Sequence, residues 1–109
     1  MQDGAPQVGP AAASEQLSGG ATAVDVREAE EWEAGRMAGS VWIPLGQLGA
    51  RLGELPDGPL LIVCRTGARS GMVADALVDA GRDATNLAGG LKAWVAAGQP
   101  LDPPDGYVL

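Results

Sequence analysis

Leu60-Leu61-Ile62-Val63-Cys64-Arg65-Thr66-Gly67-Ala68-Arg69-Ser70 leads from a short apolar run, through the only cysteine of the chain, into an amphipathic segment. The aliphatic run is β-prone and reads as a buried strand. Beyond Ser70, residues Met72, Val73, Ala76, Leu77 and Ala80 form one stripe at helical spacing. Asp75 and Asp79 face away from it, and Gly81 is a natural stop. A strand, a tight loop and a helix in succession place Cys64 directly after a strand. In α/β sheets the residues just past the strand ends are where ligands bind.

Working outward, further β-prone runs occur at Ala23–Val26, Val41–Ile43 and Ala84–Leu87. Helical patterns lie between them. Glu28–Ala34 places acids at a helix start and stops at Gly35. Leu45–Leu55 reads as helical but carries Gly46, Gly49 and Gly53. A last helix around Leu91, Trp94 and Val95 ends at Gly98, with Pro100 just beyond. Alternating strands and helices predict an α/β domain with a short, mostly parallel central sheet flanked by helices. The Gly-, Ala- and Pro-rich residues 1–13 read as a flexible entry, 14–101 as the domain, and 102–109 as an irregular tail.

A chain of 109 residues with 46% hydrophobic and 19% charged residues suits one compact domain. Its net charge of -7 argues against nucleic acids and anionic membranes, which need clustered Lys and Arg. No apolar run reaches membrane-span length, and Met1 to Ser14 lacks the basic and apolar regions of a signal peptide. The lone cysteine agrees with the cytoplasmic location this predicts. A monomer or weak homodimer is expected. The absence of His excludes a Ser-His-Asp triad, a Cys-His dyad and a histidine-ligated metal. A single Cys excludes a thiolate zinc cluster and a Cys-x-x-Cys pair. No metal or cofactor site is expected.

Nucleophilic chemistry here therefore needs a cysteine activated without His. Two of the seven cations, Arg65 and Arg69, flank Cys64, and Gly67 can take a positive φ, so that successive backbone N–H groups turn inward as an anion cradle. A free cysteine is only about 3% thiolate at pH 7, and making it mostly thiolate takes roughly 2.7 kcal/mol. A helix N-terminus contributes on the order of 0.3 to 2 kcal/mol. The guanidiniums and inward N–H groups are expected to supply the rest. The alternative, a small buried hydrophobe ending a strand, does not call for charged neighbours on both sides.

Cys64-Arg65-Thr66-Gly67-Ala68-Arg69-Ser70 closely resembles the active-site loop of rhodanese domains. Ala23-Val24-Asp25-Val26-Arg27-Glu28 with Glu31-Trp32, Gly39-Ser40-Val41-Trp42-Ile43-Pro44 and Asn86-Leu87-Ala88-Gly89-Gly90-Leu91-Lys92-Ala93-Trp94 are similar to other segments of that family, in the same order. Many relatives have Gly-His-Ile-Pro-Gly where this chain reads Gly35-Arg36-Met37-Ala38-Gly39, a departure at the rim of the site. The resemblance implies a sulfurtransferase in which Cys64 carries a persulfide and Arg65, Thr66, Gly67, Ala68, Arg69 and Ser70 bind the substrate. The four residues between Cys64 and Arg69 match sulfur-transferring rhodaneses, whereas cysteine phosphatases carry one more.

The implied partners are a small sulfane sulfur donor such as thiosulfate and a thiophilic acceptor: cyanide, a thiol or a sulfur-accepting protein. The competing readings are a non-catalytic module that binds a partner or senses oxidants, and, third, a phosphatase or arsenate reductase.

Several nearby residues have structural readings. The resemblance makes Asp25 a brace of the active loop, while a helix cap at Asp25 and an Arg27–Glu31 ion pair fit the spacing equally well. Arg36 reads as a solvated loop residue, with a substrate contact as its alternative. Trp42 and Trp94 read as core. Gly89-Gly90 reads as a tight turn, and the acids from Glu28 to Glu33 as a solvated helix face.

Overall fold

The computed structural model describes residues 4–109. Five strands, β1 (Gln7–Val8), β2 (Thr22–Asp25), β3 (Val41–Trp42), β4 (Leu60–Val63) and β5 (Ala84–Leu87), form one sheet in the order β1-β5-β4-β2-β3. Every neighbouring pair is parallel. The helices are α1 (Pro10–Ser18), α2 (Ala29–Ala34), α3 (Leu45–Leu48), α4 (Ala68–Asp79) and α5 (Gly90–Ala96).

The all-apolar β4 occupies the centre because both of its faces are covered. Leu60, Ile62 and Cys64 point into one core with Val73, Ala74 and Leu77 of α4. Leu61 and Val63 point into the other, with Ala13 of α1 and Leu91 and Trp94 of α5. The order of the strands reverses between β2 and β4: the chain leaves β2 outward to β3, then returns past it to β4 and β5. This is the switch point beside which α/β sheets bind ligands. Asp25 and Val63 are register partners there, so the residues following β2 and β4 share one edge of the sheet.

Two segments differ from the sequence expectation, the entry and the Leu45–Leu55 helix, and the tail is irregular as expected. Residues 1–3 of the predicted flexible entry 1–13 lie outside the described residues, and from Gln7 on the entry is ordered: β1 pairs with β5, Pro10 opens α1, and Ala13 is fully buried. Partnership with a distant strand, not local composition, orders it. The predicted helix over Leu45–Leu55 shortens to α3 followed by a 3-10 segment at Gly49–Glu54, the tighter form favoured where glycine weakens the α-helix. The tail past Leu101 has no helix or strand, yet it docks. Arg36 and Asp102 exchange backbone hydrogen bonds at 3.0 and 2.7 Å, and the Tyr107 N–H donates to the Ala34 carbonyl at 3.0 Å. Gly35 allows this approach, since a Cβ there would stand 2.7 Å from the Tyr107 nitrogen.

Candidate active site

Cys64 follows β4 directly and is 1% exposed. The loop then turns at Gly67, whose φ of 100° lies in the left-handed region where a side chain is strained. The turn aims hydrogen-bond donors at the sulfur. The Gly67 N–H reaches Sγ at 3.1 Å, the Ser70 N–H at 3.4 Å and the Ser70 hydroxyl at 3.2 Å. Thr66 and Ala68 have exposed side chains, so they shape the loop through their backbone.

Burial is the strongest influence on the thiol and raises its pKa. The Ser70 hydroxyl and the amides of Ser70, Gly67 and Thr66 together outweigh burial, and the net result lies below the ordinary cysteine value.

The guanidiniums act differently from the sequence expectation. Both terminal nitrogens of Arg69 donate to Glu31 of α2, at 2.7 and 2.8 Å. That hydrogen-bonded pair raises the Arg69 pKa, with the Cys64 charge as a smaller contribution in the same direction. Arg65 turns its Nε to the Leu109 carbonyl at 2.9 Å. The groups on the sulfur are thus two amides and a hydroxyl, with neither arginine donating to it. Arg69 stands by as a charge already compensated by Glu31.

Behind the loop, Asp25 and Arg27 are both fully buried. Asp25 Oδ1 accepts from the Arg27 N–H and Nε at 3.0 Å, Oδ2 accepts from Nη2 at 2.8 Å, and Nη2 also reaches the Gly35 carbonyl at 2.8 Å. The Arg27–Glu31 pair expected from spacing does not form, because Asp25 takes Arg27 and Arg69 takes Glu31. Glu28 instead caps α2, in a reciprocal box with Glu31.

Gly89-Gly90 does more than turn the chain. Gly90, at a φ of 63°, lets the start of α5 lie against the active loop, where a Cβ would collide with the Arg65 carbonyl. The Leu91 and Lys92 N–H groups then satisfy the carbonyls of Cys64 and Arg65 at 2.9 and 3.0 Å.

At the departing segment, Met37 is buried in the core. The Arg36 guanidinium lies 5.0 Å over Trp32, which stacks on Trp42 at 5.6 Å, and donates to the Asp102 carbonyl at 3.0 Å. Arg36 is thus a packed residue rather than a freely solvated one. Trp94 is core, whereas Trp42 is half-buried and donates to the Arg27 carbonyl.

Sequence reasoning named Glu31 only as a partner of Arg27, and it gave no site role to Asn86 or Gln7. Asn86 accepts from Ser70 Oγ at 2.6 Å and donates to Gln7 Oε1 at 2.8 Å and to the Gly67 carbonyl at 3.1 Å. A polar residue in the middle of β5, 3% exposed, was the available signal.

A family model, the Rhodanese-like domain, matches residues 10–97. The chain belongs to the rhodanese-like domain family. It is 42% identical over 89 residues to the HTH-type transcriptional regulator Rv0324 of Mycobacterium tuberculosis, covering 78% of this chain and 39% of the regulator. It is 34% identical over 85 residues to a protein of Allochromatium vinosum named sulfurtransferase, covering 76% and 79%. Among solved structures, a rhodanese-related protein from Thermoplasma volcanium superimposes with a TM-score of 0.83 at 28% identity, covering 88% of this chain and 96% of that one. The rhodanese-like chain thus spans less than half of the regulator and most of the sulfurtransferase. No helix among the described residues is long and apolar enough to cross a membrane.

Proposed function

We propose that the protein is a sulfurtransferase that moves sulfane sulfur through a persulfide on Cys64. The convergence of the Gly67 and Ser70 amides and the Ser70 hydroxyl on Sγ supports this reading above all, because the same donors favour an anionic sulfur at that point. The Cys64 thiolate attacks the outer sulfur of a donor such as thiosulfate. The sulfur–sulfur bond of the donor breaks, sulfite leaves with its electron pair, and Cys64 holds the terminal sulfur as a persulfide anion. A nucleophilic acceptor then attacks that terminal sulfur, and the Cys64 thiolate leaves. With no second cysteine to resolve the persulfide, the acceptor is external: cyanide, a small thiol or a partner protein. Ping-pong kinetics follow.

Arg69 belongs to the same loop-and-helix segment and feels the Cys64 charge, and we assign it the orientation of an anionic donor by exchange of its Glu31 partner. The compact loop, with four residues between Cys64 and Arg69, favours a single terminal sulfur over a tetrahedral phosphoryl group.

The test is the intact mass of the reduced protein and of Cys64→Ala after incubation with thiosulfate and removal of the excess. The expected result is a thiol-labile gain of one sulfur in the parent alone. No gain with any of several sulfane donors overturns transfer. The reading favoured next is then a partner-binding or redox-sensing module, in keeping with the 42% identity to part of a transcriptional regulator. Hydrolysis of an aryl phosphate or reduction of arsenate by the parent would support the third reading instead.

A further inference from the structure

Ser70 Oγ carries one hydrogen and faces two acceptors. Asn86 Oδ1 is 2.6 Å away and Cys64 Sγ 3.2 Å away. All three residues are buried, with exposures of 0% for Ser70, 1% for Cys64 and 3% for Asn86. The amide of Asn86 is held in one orientation, because its Nδ2 donates to Gln7 Oε1 at 2.8 Å and to the Gly67 carbonyl at 3.1 Å. Turning it over would set Oδ1 against the Gly67 carbonyl. Oδ1 therefore faces Ser70, and among the described residues its only hydrogen bond is the one it accepts from the Ser70 hydroxyl.

The proton count couples the sulfur to that amide. When the hydroxyl serves Asn86, its oxygen presents a lone pair to the sulfur and accepts the S–H of a neutral thiol. When the sulfur becomes an anion, whether thiolate or persulfide, the hydroxyl is drawn to it and the buried Oδ1 loses its donor. Leaving that oxygen unsatisfied opposes ionisation.

We propose that Asn86 is a positioning residue that competes with Cys64 for the single proton of Ser70 and so sets how readily the sulfur ionises. The proposal deepens the persulfide reading, on which its catalytic meaning rests. Through Asn86 the network continues to Gln7, so β1 at the sheet edge is joined to the nucleophile. The charged groups around Cys64 stand outside this network. Arg65 and Arg69 come from the loop and α4, Glu31 from α2, and the Asp25–Arg27 pair from the end of β2. None of these charged side chains hydrogen-bonds Ser70 or Asn86.

The experiment is a double-mutant cycle of Asn86→Ala and Ser70→Ala, reading the pH midpoint of iodoacetamide alkylation of Cys64, with circular dichroism as the check of folding. Asn86→Ala is expected to release the hydroxyl to the sulfur and move the midpoint down by about one pH unit. That is a gain of about tenfold in alkylation rate below the midpoint. In the Ser70→Ala background the same substitution is expected to leave the midpoint where Ser70→Ala puts it. An equal downward shift in both backgrounds, or none in the parent, overturns the proposal.

Should Asn86→Ala fail to fold, Asn86→Asp keeps the shape of the side chain and binds the proton more strongly. Its expected upward shift must then shrink when Ser70 is Ala, and a shift of the same size overturns the proposal. Alkylation does not require sulfur transfer, so a protein that takes no sulfur from any of several sulfane donors but shows the coupled midpoints overturns the transferase reading and keeps the Asn86–Ser70–Cys64 coupling.

Discussion

Asp25–Arg27 and Glu31–Arg69 are both carboxylate–guanidinium pairs at the edge of the sheet where Cys64 lies, and they differ in almost everything else. The first is completely buried, joins residues two apart, and satisfies three donor atoms of the arginine's own backbone and side chain. The second leaves its side chains 31% and 13% exposed and ties α4 to α2 across 38 residues of chain. A buried pair is held by the cost of stranding either charge, whereas a pair in contact with water can exchange partners cheaply. The same chemistry thus serves as a fixed strut in one place and as an exchangeable clamp beside the nucleophile in the other.

The contrast is broken most severely at the strut. Asp25→Ala leaves a guanidinium buried with no counter-charge and is expected to cost about 3 to 5 kcal/mol, read as a lower urea midpoint at unchanged slope. A loss near that of a surface substitution would erase the distinction. At the clamp, Glu31→Gln is expected to cost at most about 1 kcal/mol, because the pair is partly solvated. Its larger effect is on binding: Arg69, no longer compensated, should lower the thiosulfate concentration that half-saturates sulfur loading. A higher half-saturating concentration would mean that Glu31 holds Arg69 in its working position instead.

A smaller change tests the rim. Arg36→Gln removes the cation over Trp32 and is expected to cost about 0.5 to 1 kcal/mol, with an altered tryptophan emission. The least effect is expected from mild acid. The Arg69 hydrogen bond holds the Glu31 carboxyl down to about 2, against the opposing push of burial, with the Glu28 amide and the Arg69 and Arg27 charges adding to it. Because this folded-state value lies below the unfolded one, near 4.3, the stabilisation is complete above the unfolded value and is lost progressively as pH falls from there through about 2. A carboxyl titration of Glu31 by NMR should therefore show no midpoint near 4, and finding one there would mean that the clamp is open in solution.

Much of this arrangement was legible in the chain because it is local. Leu60–Val63 read as a buried strand and Gly67 supplied the turn. The spacing of Met72, Val73, Ala76, Leu77 and Ala80 read as a helix, although only Val73 and Leu77 of that stripe are buried, with Ala74 beside them, while Met72, Ala76 and Ala80 are exposed. The loop around Cys64 followed from those neighbours. Its arginines did not. Spacing favoured Arg27 with Glu31 at one helical turn, but Asp25 lay nearer to Arg27 on the same strand end, and Glu31 was left for a residue 38 positions away. The entry misled for the same reason: Gln7 and Val8 have no strand pattern of their own and become a strand only because β5 offers an open edge.

The sequence by itself determined the α/β class, the position of Cys64 beyond a central strand and the composition of its loop, since all three depend on residues adjacent in the chain. Only the tertiary structure decided which groups face the sulfur. Amides and a hydroxyl were placed there by the turn at Gly67, the arginines were drawn to Glu31 and the Leu109 carbonyl, and Asn86 was brought from another strand to share the Ser70 proton. Partner choice among polar groups is a competition settled by distance and burial, and neither quantity exists until the strands have been laid side by side.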